Sequence, residues 1–397
     1  MADPKHNLNE SADIDYAPRT RVVFGAGTLS RLGDLSRPFG RRALLVTDQG
    51  LKSAGHEDRA IEFLRREEID VVVYDDVTPN PTTDDVDAAT AFAKEHAIDF
   101  IIGLGGGSSM DCAKGINFLL TNGGCMEDYW GIGKATKPML PLIAVPTTAG
   151  TGSEAQSFAV ISNAKTHLKM ACGDKKAAAR IAILDPELTT TMPTFVTAVT
   201  GIDAISHAVE SYVSKPSNVV SKMFARQAWN LLNPAFERVL ADANHLASRG
   251  DMLLGAHLAG ASIENSMLGA THALANPLTA HFDLTHGVAI GLMLPHVIKY
   301  NARAVGSSYV QFVTDAGIGF KDTDDAALQL AKRIVSLVRL AKLPVSLKEA
   351  GVDAELLPQL AGEAAEQWTG RFNPRTVNAA DLLEIYQCAL NFDGESF

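Results

Sequence analysis

Short apolar runs alternate with amphipathic stretches through the first half of the chain. RALLVT (42–47), VVVY (71–74), DFIIGLG (99–105) and PLIAVP (141–146) read as buried strands. Between them, HEDRAIEFLRREE (56–68) and TTDDVDAATAFAKEHA (82–97) repeat apolar residues at helical spacing. The second opens on Thr and Asp, good helix start signals. Strand–helix alternation predicts a parallel, doubly wound sheet. Past TTTMPTF (189–195) strand patterns vanish. TAVTGIDAISHAVESYV, SKMFARQAWNLLNPAFERVL, RGDMLLGAHLAGASIENS and DDAALQLAKRIVSLVRLAK all carry apolar residues three and four apart. The expected organisation is a flexible polar arm (1–20), an α/β domain (21–195) and an all-α domain (196–397).

Length and composition agree with two domains. The chain has 397 residues, 46% hydrophobic and 20% charged, which describes a soluble protein with a sizeable core. The net charge of −11 argues against nucleic acid or an anionic membrane as partner. No run approaches a membrane span, and the first twenty residues lack the apolar core of a secretory signal. Cys112, Cys125, Cys172 and Cys388 are scattered without metal-site spacing. They read as free thiols in a reducing compartment, so a cytoplasmic location is expected.

IIGLGGGSSMDCAKGINFLL (101–120) reads as strand, glycine loop and helix. Gly105, Gly106 and Gly107 let the backbone approach a ligand, and Ser108 and Ser109 lie where the helix begins. The helix's unpaired N–H groups suit a pyrophosphate. An ordinary tight turn is the competing reading. The loop departs from the usual dinucleotide fingerprint, because Ser108 stands where a third glycine belongs and the loop follows the third predicted strand rather than the first. Asp48 ends the first predicted strand. It either bonds the two ribose hydroxyls of an adenosine, favouring NAD over NADP, or bonds its own backbone in a turn. Thr147, Thr148, Thr151 and Ser153 add hydroxyls in PTTAGTGSE (146–154), and Asn80 in TPNPT can reach the same ligand.

The chemistry of the second half centres on GIDAISHAVESY (201–212) and THALANPLTAHFDLTHG (271–287). Asp203 and His207 are four apart and share a face if helical. With His272 and His286 they offer three imidazoles and a carboxylate, a donor set that suits Fe(II) or Zn(II). Such an ion can polarise a substrate oxygen. Against this, Thr200-x-x-Asp203 matches a capping box, in which Asp203 would only bond its own helix terminus.

Taken together, GLGGGSSMDCAKGI, PLIAVPTTAGTGSE, LDPELT, GIDAISHAVESY, HALANPLTAHFDLTHG, LPHVIKYN and NPRTVNAADLLEIY resemble the iron-containing (group III) alcohol dehydrogenase family, in family order from about residue 20 onward. The resemblance implies a dinucleotide-binding α/β domain and a helical domain in a dehydroquinate-synthase-like fold, with the metal in the cleft between them. It implies Asp203, His207, His272 and His286 as metal ligands. It implies Asp48, Gly106, Gly107, Ser108, Thr147, Thr148 and Lys169 as cofactor contacts. NAD and Fe(II) are the implied cofactors, with Zn(II) the alternative ion, and a homo-oligomer, a dimer foremost, is implied. Two positions depart from the family pattern. Asn276 stands where many members carry a second histidine, so it can orient but cannot titrate near neutral pH. Thr285 replaces the usual proline before His286. Phe158 in FAVI (158–161) is expected to narrow the pocket wall.

The expected reaction is hydride transfer between a small alcohol, or an aldehyde, and NAD(H), with the metal lowering the pKa of the alcohol oxygen. The proton can leave through Thr285, His281, ribose hydroxyls or water. The same scaffold also resembles zinc-dependent polyol dehydrogenases and sugar-phosphate cyclases, and a non-catalytic sensor of NAD(H) or metal is a third class.

Overall fold

The computed structural model describes residues 16–166 and 168–395. The first half holds strands β1 (Arg21–Phe24), β2 (Arg42–Val46), β3 (Asp70–Tyr74), β4 (Phe100–Gly105), β5 (Gly131–Ile132), β6 (Leu142–Pro146), β7 (Phe158–Ser162), β8 (Lys169–Gly173) and β9 (Ile181–Leu184). Its helices are α1 (Leu32–Ser36), α2 (Gln49–Ser53), α3 (His56–Arg66), α4 (Thr83–Lys94) and α5 (Gly107–Asn122). Six strands form one parallel sheet in the order β1-β9-β6-β4-β2-β3. Every residue of β4 is buried, as a central strand covered on both faces requires. Side chains alternate between the faces. Leu44, Val46 and Ile101 pack on the side of α4 and α5, whereas Ala43, Leu45 and Ile102 pack on the side of α1 and α3. Thr82 and Asp85 close a reciprocal capping box at the start of α4.

The four strands and three helices read from the sequence of this half are β2, β3, β4, β6, α3, α4 and α5. Five strands escaped that reading. β1 and β9 are only four residues long, and β5, β8 and β7 form a separate three-stranded sheet. That small sheet lies apart from the expected parallel sheet, and within it β7 runs antiparallel to β8. The short β1 also shifts the count at the glycine loop, which lies after the fourth strand of the chain.

No strand occurs among the described residues after Leu184. α6 (Thr194–Val213), α7 (Val219–Ala241), α8 (Leu246–Glu264), α9 (Ala270–Phe282), α10 (His286–Asp315), α11 (Thr323–Leu340), α12 (Leu357–Glu366) and α13 (Ala379–Leu390) share one large apolar core. α6 runs through its middle, buried along almost its whole length. No helix of the described residues is long and apolar enough to cross a membrane.

The two halves meet along α8. Ser157, just before β7, donates its N–H (2.9 Å) and its hydroxyl (2.7 Å) to the Glu264 carboxylate, and the buried pair Glu154–His257 lies 3.2 Å apart. Gly152 and Gly260 touch backbone to backbone; a Cβ on Gly152 would fall 2.7 Å from Gly260 Cα. The expected flexible arm falls mostly on residues 1–15, outside the described residues. Its last residues are tied down. The Tyr16 ring meets Phe224 of α7 edge-on at 5.9 Å, Arg19 pairs with Glu264 at 3.3 Å, and the Thr20 hydroxyl donates to Ala179 O.

The Gly152–Gly260 contact sets two effects against each other. Alanine is the better helix former by about 1 kcal/mol, so Gly260→Ala should stabilise α8 on propensity alone. The added methyl, however, would enter the Gly152 carbonyl, and overpacking typically costs about 1–3 kcal/mol. Because the opposing atoms are backbone, we expect the clash to win. Denaturant unfolding should show a net loss of about 1–2 kcal/mol. An unchanged or raised stability would mean that the halves are not held this closely.

Candidate active site

α6 presents Asp203, His207 and Glu210 at positions i, i+4 and i+7, one buried face of the helix. The helix begins at Thr194, straight after Pro193, and the Thr200 hydroxyl bonds back to Val196 O. Asp203 therefore lies well inside the helix, and the capping-box reading is excluded. α9 brings in His272 in its first turn, and α10 opens on His286. The four predicted side chains converge. Asp203 Oδ1 lies 3.3 Å from His207 Nε2, 3.6 Å from His272 Nε2 and 3.8 Å from His286 Nε2. The Nε2 atoms of His207 and His272 are 3.1 Å apart.

The donor set fits a cation. Asp203 Oδ1 is buried and makes no hydrogen bond of ordinary geometry. An orphaned buried carboxylate oxygen is costly, and a divalent ion among it and the imidazole nitrogens would offset that cost. Nitrogen and oxygen ligands about 2.1 Å from a common ion are themselves roughly 3–3.5 Å apart, close to the separations found here. Burial pushes the Asp203 carboxyl up, but His207, His272 and His286 outweigh it and hold it well below the usual carboxylate range. For His272, burial disfavours the imidazolium, yet the carboxylates of Asp203 and Glu210 raise its pKa to about 9. Burial pushes His207 down.

Glu210 was not singled out from the sequence. Its Oε2 accepts from His272 Nδ1 at 2.6 Å and its Oε1 from the Thr271 N–H at 2.7 Å. It fixes the ring's orientation and tautomer, leaving Nε2 to face Asp203. The available signal was its position seven residues after Asp203 on the same helix.

The glycine loop opens into the same cleft. Gly107 and Ser108 line it together with Asn80, Thr151, Ser153, Phe158, Lys169, Thr200, Asn276 and Thr285. Gly106 is the N-cap of α5 and supplies no side-chain cap, so the first N–H groups of that helix are left for a ligand. A Cβ on Gly107 would fall 2.7 Å from the Thr151 side chain, so only glycine lets the two loops approach. The sheet order reverses between β2 and β4. The crevice outside the carboxyl ends of such strands is where dinucleotides bind in open α/β sheets. Asp48 stands at that point. Its Oδ1 accepts the Gly50 N–H at 3.0 Å and caps α2, and its Oδ2 accepts the Ser109 hydroxyl at 3.3 Å. Gly105, Gly106, Thr147 and Thr148 lie outside the cleft lining; the Thr147 N–H donates to Gly105 O and splices β4 to the next loop.

Other predicted residues have more specific surroundings. The Ser153 hydroxyl is already committed, donating to Asp111 at 2.6 Å and accepting from Lys114 Nζ at 2.7 Å. Lys114, fully buried and not foreseen, also donates to Phe158 O and so ties α5 to the pocket wall. The Lys169 ammonium donates to Asn80 Oδ1 at 3.4 Å. Asn276 Nδ2 donates to Gln367 Oε1 at 2.9 Å. The Phe158 ring stacks on Trp368, centroids 6.4 Å apart and planes at 22°. His281 is corrected as a proton exit: it is absent from the cleft lining and hydrogen-bonds Glu363 at the surface.

An ion held by these side chains has to displace the His272 proton. Lower pH therefore weakens binding, and anaerobic Fe(II) titration should show affinity rising about tenfold per pH unit from about 7 toward 9. Glu210→Gln should flatten that slope, because the neutral amide no longer holds the imidazolium. At the upper end of the range it should weaken binding about 10- to 100-fold, through lost orientation. An unaltered slope and affinity would show that Glu210 does not act through His272.

Comparisons with known proteins identify the family. A family model described as iron-containing alcohol dehydrogenase matches residues 18–186, and one described as the C-terminal part of the Fe-containing alcohol dehydrogenase family matches residues 197–390. The chain is 36% identical to 1,3-propanediol dehydrogenase of Citrobacter freundii over 383 residues, 95% of this chain and 98% of that one. It is 33% identical to NAD-dependent methanol dehydrogenase of Bacillus methanolicus, over 93% of this chain and 97% of that one. The crystal structure of a 1,3-propanediol oxidoreductase superposes with a TM-score of 0.92 at 34% identity, covering 96% of this chain and all of the other. The sheet, the helical half and both family models thus cover one continuous chain, which belongs to the iron-containing alcohol dehydrogenase family.

Proposed function

We propose that the chain oxidises a small alcohol, or reduces the corresponding aldehyde, with NAD(H) laid across the ends of β2, β4 and β6 and Fe(II) held by Asp203, His207, His272 and His286. The observation that carries this reading is convergence: the glycine loop that suits a pyrophosphate and the four donor side chains open into one cleft. Family membership favours the NAD-linked dehydrogenase over the cyclase and sensor readings, and iron over zinc. A homodimer rests on the resemblance alone, and a cytoplasmic location on the four free cysteines.

When bound, the ion supplies a Lewis acid for the substrate oxygen, and the nicotinamide accepts or donates the hydride. The chain's own residues prepare the cleft. Glu210 keeps His272 oriented. Phe158 and Trp368 wall the cleft with stacked rings and keep water from the reacting carbon. Asn276, anchored by Gln367, orients without titrating. Thr285, at the mouth of α10, offers a hydroxyl route for the alcohol proton toward solvent.

Chelation should abolish NAD reduction by 1-propanol, and Fe(II) should restore it. His272→Ala should lose most of its metal, read by elemental analysis of the purified protein; full metal and full rate in that variant would show that the site is misassigned. The second expectation concerns Asp48. Asp48→Asn preserves the cap on α2 but removes the charge. It should lower the NAD-over-NADP ratio of kcat/KM about tenfold or more, because repulsion of the 2′-phosphate is lost. A wild type that already prefers NADP would overturn the role given to Asp48.

A further inference from the structure

Gly173 ends β8 and stands directly opposite Phe158, the first residue of β7. Opposed residues of an antiparallel pair put their side chains on one face of the sheet. The Phe158 ring occupies the place that a side chain at 173 would take. A Cβ there would fall 2.7 Å from Cδ1 and 2.9 Å from Cζ of the ring, and closer still to Cε1. The backbone does not call for glycine at this position, because the φ of Gly173 is not in the left-handed region. The ring is what requires a residue without a side chain.

That ring belongs to the cleft. Phe158 lines it and stacks on Trp368, whereas Gly173 is buried and absent from the lining. Both strands are pinned. Lys114 Nζ donates to Phe158 O at 2.7 Å, Ser157 is clamped to Glu264, and Ser157 O accepts the Asp174 N–H at 3.2 Å. Gly173 O accepts the Gly133 N–H at 2.8 Å. A side chain at 173 would therefore turn the ring before it parted the strands, and the open space beside the ring is the cleft. We propose that Gly173, which touches neither substrate nor cofactor, sets the width of the cleft by seating the Phe158 ring against the sheet, and thereby sets the size of alcohol accepted. The proposal rests on the dehydrogenase reading and deepens it.

The test uses iron-loaded wild type, Gly173→Ala, Phe158→Ala and the double variant. One readout is the ratio of kcat/KM for 2-methyl-1-propanol to that for 1-propanol in NAD reduction. The other is a crystal structure of Gly173→Ala, which should show the Phe158 ring turned away from residue 173 and into the cleft. The ratio should fall about tenfold or more in Gly173→Ala, the scale on which one carbon is discriminated in an apolar pocket. The double variant should show the ratio of Phe158→Ala alone, because the ring through which residue 173 acts is gone. A merely structural role would slow both alcohols together; that unchanged ratio would overturn the proposal. So would a ring that stays in place, or a fall in the ratio that persists in the double variant. Where Gly173→Ala fails to fold, the double variant should fold, and its failure would show that Gly173 serves something other than the ring. A wild type that turns over no alcohol would sink the dehydrogenase reading, and the ring position in the crystal would still decide whether Gly173 seats Phe158.

Discussion

A carboxylate buried in the middle of a helix is expensive, and most of the site depends on how the Asp203 charge is met. The oxygen faces three imidazoles, none placed to give it an ordinary hydrogen bond. A lone buried charge of this kind costs far more than a surface one, so its surroundings must compensate. Glu210 adds a second buried carboxylate, which holds His272 and increases the need for positive charge nearby. Two acids and three imidazoles clustered at the inner wall of the cleft make sense together around a cation. The proposed ligands come from three helices whose mutual placement is fixed by one continuous apolar core.

That core must also be held in register with the cofactor half. The contacts along α8 do this. Gly152 against Gly260 brings the loop after β6 onto the helix, and Glu264 and His257 secure the residues just beyond it. The loop secured in this way abuts Gly107 through Thr151. A short chain of direct contacts therefore joins the glycine loop to the helical half, whose α6 carries Asp203. Hydride transfer is sensitive to the spacing between nicotinamide and the carbinol carbon, so a rigid link of this sort has a clear use.

Much of this was legible in the sequence because buried parallel strands are continuous apolar runs. β2, β3, β4 and β6 announced themselves for that reason. β1 and β9 did not, being four residues long, and β7 alternates buried with partly exposed positions beside a separate small sheet. The glycine loop and the Asp-x-x-x-His pair were visible as local patterns. Glu210 was hidden because a single acid in VESY looks like a solvated helix face; its partner His272 is 62 residues away. Gln367, Trp368 and Thr369 join the site from the far C-terminal region, and no local pattern links them to Asn276, 91 residues before Gln367. The capping-box misreading has a simple cause. Thr200 and Asp203 have the right spacing, but Pro193 starts the helix earlier.

The central claim is that these four side chains hold iron at the inner end of the cleft. Crystals of protein loaded anaerobically with Fe(II), measured on both sides of the iron absorption edge, test it directly. The account predicts one strong anomalous peak bounded by Asp203 Oδ1 and the Nε2 atoms of His207, His272 and His286, each about 2.0–2.3 Å away. A fully iron-loaded protein with its peak elsewhere, or with these four side chains unliganded, would contradict it.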